Sequence, residues 1–190
     1  TMTTTGAVMM ALAWLMLGRF TLGPRRMSRS QLDHTLMLWI VPLLVAPPMY
    51  SKDVYSYLAQ SQIARIGLNP YKVGPAPGLG LDHVFTLSVP SLWRETPAPY
   101  GPLFLWIGIS ALTGENIVAA VLCHRIVVLI GVGLIVWATP RLARRCGVAE
   151  VSALWLGAAN PLLLMHLVAG IHNEALMLGL MLTGTEVALR

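Results

Sequence analysis

Four groups of residues in this chain have side-chain types that can do chemistry. The first is centred on Asp53, in Pro47-Pro48-Met49-Tyr50-Ser51-Lys52-Asp53-Val54-Tyr55-Ser56-Tyr57, where an apolar run stops and a carboxylate appears. The paired prolines end whatever helix precedes them, because proline lacks a donor and restricts the residue before it. A new helix can start there with Ser51 as N-cap, which places Asp53 in the first turn, where the dipole favours negative charge. At helical spacing Asp53, Tyr57 and Gln60 share one polar and aromatic face, with Ser56 beside them. Such a face is either an ordinary helix start at a membrane surface or a working surface whose carboxylate can take a proton. The second group is His124-Arg125, inside an apolar segment. A buried arginine in a membrane segment is costly, so it marks a functional site or a side chain snorkelling to the headgroups. His172-Asn173-Glu174 is the third, with Glu174 equally able to be a plain helix-start carboxylate. The fourth is a pair of turn motifs, Gly67-Leu68-Asn69-Pro70-Tyr71 and Pro99-Tyr100-Gly101-Pro102-Leu103.

The elements that must hold these groups are membrane segments. Hydrophobic residues make up 56% of the 190, only 11% are charged, and the mean hydropathy is +0.68. The apolar residues come in long blocks that are apolar on every face, separated by short basic ones, which is the pattern of an integral membrane protein. Nothing in the composition suggests a nucleic-acid partner. Cys123 lies in an apolar run and Cys146 in a basic loop, and no residues near either have metal-ligand spacing. The chain starts at a threonine and ends at Leu189-Arg190 directly after an apolar run, so it reads as the N-terminal part of a longer protein.

Arginine placement assigns the sides. Arg19, Arg25, Arg26 and Arg29 follow a first apolar stretch, about Thr4 to Leu17, and by the positive-inside rule they are cytoplasmic. The next span, about His34 to Tyr50, then runs outward and delivers Asp53 to the outer face. Residues 51–100 form an outer loop rich in proline and glycine, with Tyr50, Tyr55, Tyr57, Tyr71, Trp93 and Tyr100 suited to the membrane interface. The basic block Pro140-Arg141-Leu142-Ala143-Arg144-Arg145 returns to the cytoplasm, so only an odd number of crossings fits between it and the loop. Length selects about Ile117 to Ala138 as that span and leaves an interfacial or re-entrant helix at about 101–113. A fourth span, about Val151 to Gly170 with Pro161 inside, runs outward, and a fifth starts near Glu174. His166 is expected to pack among helices, and His83 has no assigned role.

The order Tyr-Ser-Lys-Asp-Val-Tyr (50–55), Gly-Leu-Asn-Pro-Tyr (67–71), Tyr-Gly-Pro-Leu (100–103), His-Arg (124–125) and His-Asn-Glu-Ala-Leu (172–176) resembles the GT-C membrane glycosyltransferases. Within them the closest likeness is to the actinobacterial polyprenol-phosphomannose-dependent α-1,6-mannosyltransferases that build the lipomannan backbone, and it covers the chain from about residue 34 onward. The resemblance implies an all-α, polytopic membrane helical bundle of GT-C type, multi-pass in the plasma membrane, with its active site on the outer face. It implies a polyprenyl-phosphate mannose donor, a lipoglycan acceptor and inversion by single displacement, with Asp53 at the position of the family's catalytic base. That family usually carries the loop after its first span, whereas here it follows the second, which implies an extra leading span.

Inversion with a phosphate leaving group needs one base and a phosphate clamp rather than a strong acid. Arg125 is the candidate clamp, since a guanidinium binds phosphate bidentately, with Lys52 a second choice. Tyr57, Tyr71 and Tyr100 either stack on sugars or anchor the loop, and Asn69, His172, Asn173 and Glu174 complete the substrate-binding candidates. No metal ligands are assigned, and a divalent metal requirement stays open. The alternative is a transporter or flippase for a lipid-linked sugar, suggested by intramembrane Arg125, His166 and Glu174 and by proline-broken spans.

Overall fold

A computed structural model describes residues 2–23, 27–101 and 107–190, and over them every regular element is helical. Arg25, Arg26 and the 102–106 part of the expected interfacial helix lie outside the described residues. The chain divides into two compact units, one made of Thr1–Met49 with Val127–Arg190, the other of Tyr50–Ile126.

In the first unit, α1 spans Met2–Leu22, so Arg19 sits in its last turn rather than in the following loop, where its charge complements the helix dipole. Helix α2, Arg29–Val45, starts five residues before the expected position because Ser28 and Gln31 form a capping box and Arg29 then pairs with Asp33 at 2.8 Å. It stops just ahead of Pro47-Pro48, as the prolines require. Helix α7, Ile117–Arg145, shares its first ten residues with the second unit and continues through Pro140, where the sequence suggested a boundary. Proline at 140 leaves the carbonyl of Val136 without its helical donor, and the Arg29 guanidinium donates to that oxygen at 3.4 Å. At the end of α7 Arg145 grips Glu186 through Nε at 2.8 Å and Nη2 at 3.2 Å, while Arg141 lies 4.2 Å over the Trp137 ring.

The expected fourth span is broken. Helix α8, Glu150–Leu156, is followed by α9, Pro161–Leu163, with Asn160 capping through Leu162 N and Pro161 at the first helical position. This second arm continues as a π-helical turn, Leu164–Ala169, and the two arms are bent by 49°. Ile171, buried with φ of 57°, then holds a left-handed conformation that a β-branched residue rarely adopts. Helix α10, Glu174–Ala188, packs closely on α7: a Cβ on Gly131 would run into the Ala175 backbone, and one on Gly179 would meet Gly131 O. Helix α1 meets α8 through Trp14 and Trp155, stacked with centroids 4.5 Å apart and each indole N–H donating to the other residue's carbonyl at 2.9 Å.

Among the described residues two helices, Thr3–Leu22 and Ile117–Arg145, are long and apolar enough to cross a membrane, or three if the bent pair counts as one span. The second and fifth expected spans are helical but 17 and 15 residues long.

The second unit is organised around α3, Asp53–Arg65, which is unusual in burying polar residues: Gln60, Ser61 and Gln62 are enclosed along with Val54, Leu58 and Ile63. Against it pack α4 (Pro75–Leu79), α5 (Val84–Ser88) and α6 (Ile107–Thr113). Ser110 Oγ and Arg65 Nε both donate to Gln62 Oε1, at 2.8 and 2.9 Å, which ties α6 to α3.

Candidate functional site

The helix that carries Asp53 is set by its entry. Tyr50 takes a left-handed φ of 65°, Ser51 Oγ accepts from Asp53 N at 3.0 Å, and α3 begins at Asp53. The N-cap is Lys52, without a side-chain cap bond, rather than the expected Ser51, which lies one residue earlier and takes the Asp53 N–H; Asp53 stands in the first turn as expected. Two turns further on, Gln60 points from the same side of α3.

The wall opposite α3 comes from the expected outer loop, which is held in one course by backbone bonds. Ala76 N donates to Arg94 O and Ala98 N to Pro70 O, both at 2.8 Å, and Gly74 lies so close to the Glu95-Thr96 backbone that a Cβ could not fit. Arg94 braces the turn after α5, with Nε on Val89 O and Nη2 on Leu87 O at 3.0 Å each. His83 caps α5, its Nδ1 accepting from Phe85 N at 3.2 Å. These ties bring Trp93 and the Thr96-to-Tyr100 stretch over α3.

Between the two lies a cleft of about 180 Å³, with Asp53, Ser56 and Gln60 on the helix side and Trp93, Thr96, Pro97, Pro99 and Tyr100 on the loop side. Gln60 is 4% exposed, and its Oε1 has no hydrogen-bond partner among the described residues. An amide oxygen enclosed in this way without a partner is costly in a packed interior.

Of the residues expected at a site, Asp53 and Tyr100 share this cleft. Tyr57 stands behind it, its buried ring edge-on to Tyr100 at 5.0 Å and stacked with His124 at 6.2 Å. Lys52 is exposed beside Asp53, and Asn69 and Tyr71 form an exposed turn in which Asn69 Oδ1 accepts from Tyr71 N at 2.9 Å. Arg125 is buried on α7 within the same unit. The 172–174 residues belong to the other unit, where His172 Nδ1 lies 3.6 Å from Glu174 Oε2 and the Asn173 amide nitrogen is buried without a partner among the described residues. His166 is exposed on the π-helical turn, with its ring 6.1 Å from that of His172. Among the described residues no group of three or more His, Cys, Asp or Glu could hold a metal ion. Gln60 was visible in the sequence as a same-face neighbour of Asp53, while Trp93, marked there only as an interface aromatic, reaches the cleft through loop contacts that no local pattern encodes.

Apolar helices of membrane-crossing length are those of a membrane-associated protein, and the second unit by itself carries a small cleft lined by a carboxylate, an amide and aromatic rings. The chain belongs to the family described as alpha-(1->6)-mannopyranosyltransferase, N-terminal domain, which it matches over residues 1–190. It is 88% identical to a probable alpha-(1->6)-mannopyranosyltransferase of Mycolicibacterium smegmatis and to an alpha-(1->6)-mannopyranosyltransferase of Mycobacterium tuberculosis, over 100% of this chain and 34% and 32% of theirs. It is 45% identical to alpha-(1->6)-mannopyranosyltransferase B of Corynebacterium glutamicum, over 86% of this chain and 27% of that one. The chain thus spans about a third of the length of the first two. No solved structure matches it.

Proposed function

We propose that this chain is the base-bearing part of a polytopic GT-C mannosyltransferase that moves mannose from polyprenyl-phosphate mannose to an α-1,6-mannan acceptor of a lipoglycan, at the outer face of the plasma membrane. The observation that carries the reading is the placement of Asp53 in a cleft with Ser56, Gln60 and the rings of Trp93 and Tyr100. The family supports the reaction, since its relatives carry the name of that transferase.

In the proposed step the acceptor 6-hydroxyl loses its proton to the Asp53 carboxylate as its oxygen bonds to the anomeric carbon. The bond from that carbon to the phosphate oxygen breaks, and the electron pair leaves with the polyprenyl phosphate. A phosphate needs no proton to depart, so one carboxylate suffices and the anomeric configuration inverts. Arg125 is the proposed clamp on the phosphate, where a planar guanidinium offers two parallel bonds.

Asp53→Asn tests the reading in the full-length protein. Asparagine caps a helix as well as aspartate does and keeps the side-chain shape, so a purely structural Asp53 would tolerate it. A general base would not: transfer from radiolabelled polyprenyl-phosphate mannose should fall by roughly 10²- to 10⁴-fold. Glu174→Gln is the parallel variant. Near-normal transfer by Asp53→Asn with loss in Glu174→Gln would move the base to the 172–174 turn.

One observation favours the transporter alternative: the bent pair of α8 and the Pro161–Ala169 arm has the broken-helix form common in transporters. That reading predicts export of a lipid-linked sugar by membranes in which transfer to mannan is absent.

A further inference from the structure

The arginines at the end of α7 are mostly neutralised within the protein. Arg144 meets Glu150 at 2.6 Å, Arg145 holds Glu186 through Nε and Nη2, and Arg190, just after α10, reaches the same Glu186 at 3.6 Å. Arg141 meets no carboxylate among the described residues. Four guanidiniums therefore face two carboxylates, and the difference, two positive charges, stays uncompensated.

The seat of Arg141 sets it apart from an arginine that merely reaches for water. A snorkelling side chain extends away from hydrocarbon. Arg141 instead folds back along α7, with Nη1 donating to Trp137 O at 2.6 Å and the guanidinium 4.2 Å from the centre of the Trp137 ring. Arg190 brings a second guanidinium to 5.6 Å from that ring. From Ile117 to Trp137 the helix rises about 30 Å, the thickness of a bilayer's hydrocarbon core, so a crossing α7 sets the indole at the boundary and Arg141 just beyond it. An uncompensated cation held at that depth is costly unless an anion meets it.

The geometry points to a binding site for an anionic phospholipid at this end of α7: the lipid phosphate sits against Arg141 and Arg190, with the Trp137 ring beside the first carbons of the acyl chains. Two features match that partner. A guanidinium stacked on a ring keeps its N–H edge for phosphate oxygens, and Arg141 gives only one of its five N–H groups to the protein. The surplus of positive charge favours a headgroup of net negative charge over a zwitterionic one. This site does not depend on the transferase reading.

The experiment places the full-length protein in phosphatidylcholine bilayers that contain an equal small fraction of either brominated phosphatidylglycerol or brominated phosphatidylcholine, with the bromines high on the acyl chain. The emission of Trp137 is read as the difference between each protein and the same protein carrying Trp137→Phe. In wild type its quenching should correspond to an enrichment of phosphatidylglycerol at the ring of about 5-fold or more, the factor that one arginine near an anionic surface supplies. Arg141→Gln should bring the two lipids to near equality. Arg144→Gln removes the same charge from a residue already paired with Glu150, so the enrichment should stay within about 2-fold of wild type. Arg141→Lys keeps the charge without the planar fork and should retain only part of the enrichment, which keeps the test open if Arg141→Gln does not assemble. Equal quenching by the two lipids in wild type overturns the site. So does an equal loss in Arg144→Gln and Arg141→Gln, which is the signature of diffuse attraction, or full retention in Arg141→Lys.

Discussion

Tyr57 separates packing from contact at the scale of one side chain. Its ring is 1% exposed, pressed against Tyr100 and His124, and it does not line the cleft beside Asp53. Tyr57→Phe keeps that ring and gives up no hydrogen bond of the hydroxyl among the described residues, so transfer and acceptor KM should stay within about 2-fold of wild type and the melting temperature should not fall. Tyr57→Ala removes a buried aromatic and should cost about 3–5 kcal/mol, read as a lower melting temperature in detergent. If Tyr57→Phe instead raised the acceptor KM with stability intact, the hydroxyl would have to be a ligand group. Sequence spacing put Tyr57 and Asp53 on one face, which holds, yet helical periodicity cannot say whether a face meets a cleft or another ring.

At the scale of elements, what could be read from the chain was what local chemistry decides. The end of α2 before Pro47-Pro48 follows from proline geometry and stands in the structure, whereas α3 starts one residue later than Ser51 as N-cap would have it, with Lys52 at that position. The early start of α2 has its local signal in Ser28 and Gln31, the two ends of a capping box. Continuation of α7 through Pro140 was not legible, because the group that meets the freed Val136 carbonyl is Arg29, 107 residues away. Trp93 reaches the cleft wall for the same kind of reason, through backbone ties from 70 to 98 and from 76 to 94. Close packing of α7 on α10 also depends on partners distant in sequence, and two glycines one turn-fraction apart make it testable. Gly131→Ala places a methyl against the Ala175 backbone and should cost about 1–3 kcal/mol, whereas Gly133→Ala meets nothing within 4 Å and should be neutral or stabilising by up to about 1 kcal/mol. Thermal unfolding of the two variants side by side would show the contrast, and equal melting temperatures would contradict the close approach.

For the whole molecule, the proposed arrangement in the membrane can be checked with a native probe. Cys146 is exposed just beyond α7, and Ser91 is exposed in the segment assigned to the outer loop. In a Cys123→Ser background, Ser91→Cys should react with an impermeant thiol reagent on intact cells, while Cys146 should react only after permeabilisation. Reaction of both from outside would reverse the placement of the arginine-rich end. Helix α1 presents Met9, Leu12, Leu15, Met16 and Phe20 outward, a surface suited to lipid. Its attachment to the rest of the first unit includes the bond from Ser152 Oγ to Thr21 O and the indole pair of Trp14 and Trp155, and that pair has an optical consequence. Parallel rings 4.5 Å apart, inclined by 9°, share their excited state, so the emission and near-ultraviolet dichroism of this protein should carry a signature of α1 docked on α8. Trp14→Phe should abolish that signature while the other tryptophans still emit, which turns the seam between the leading helix and its partner into something that can be watched by light during insertion and assembly.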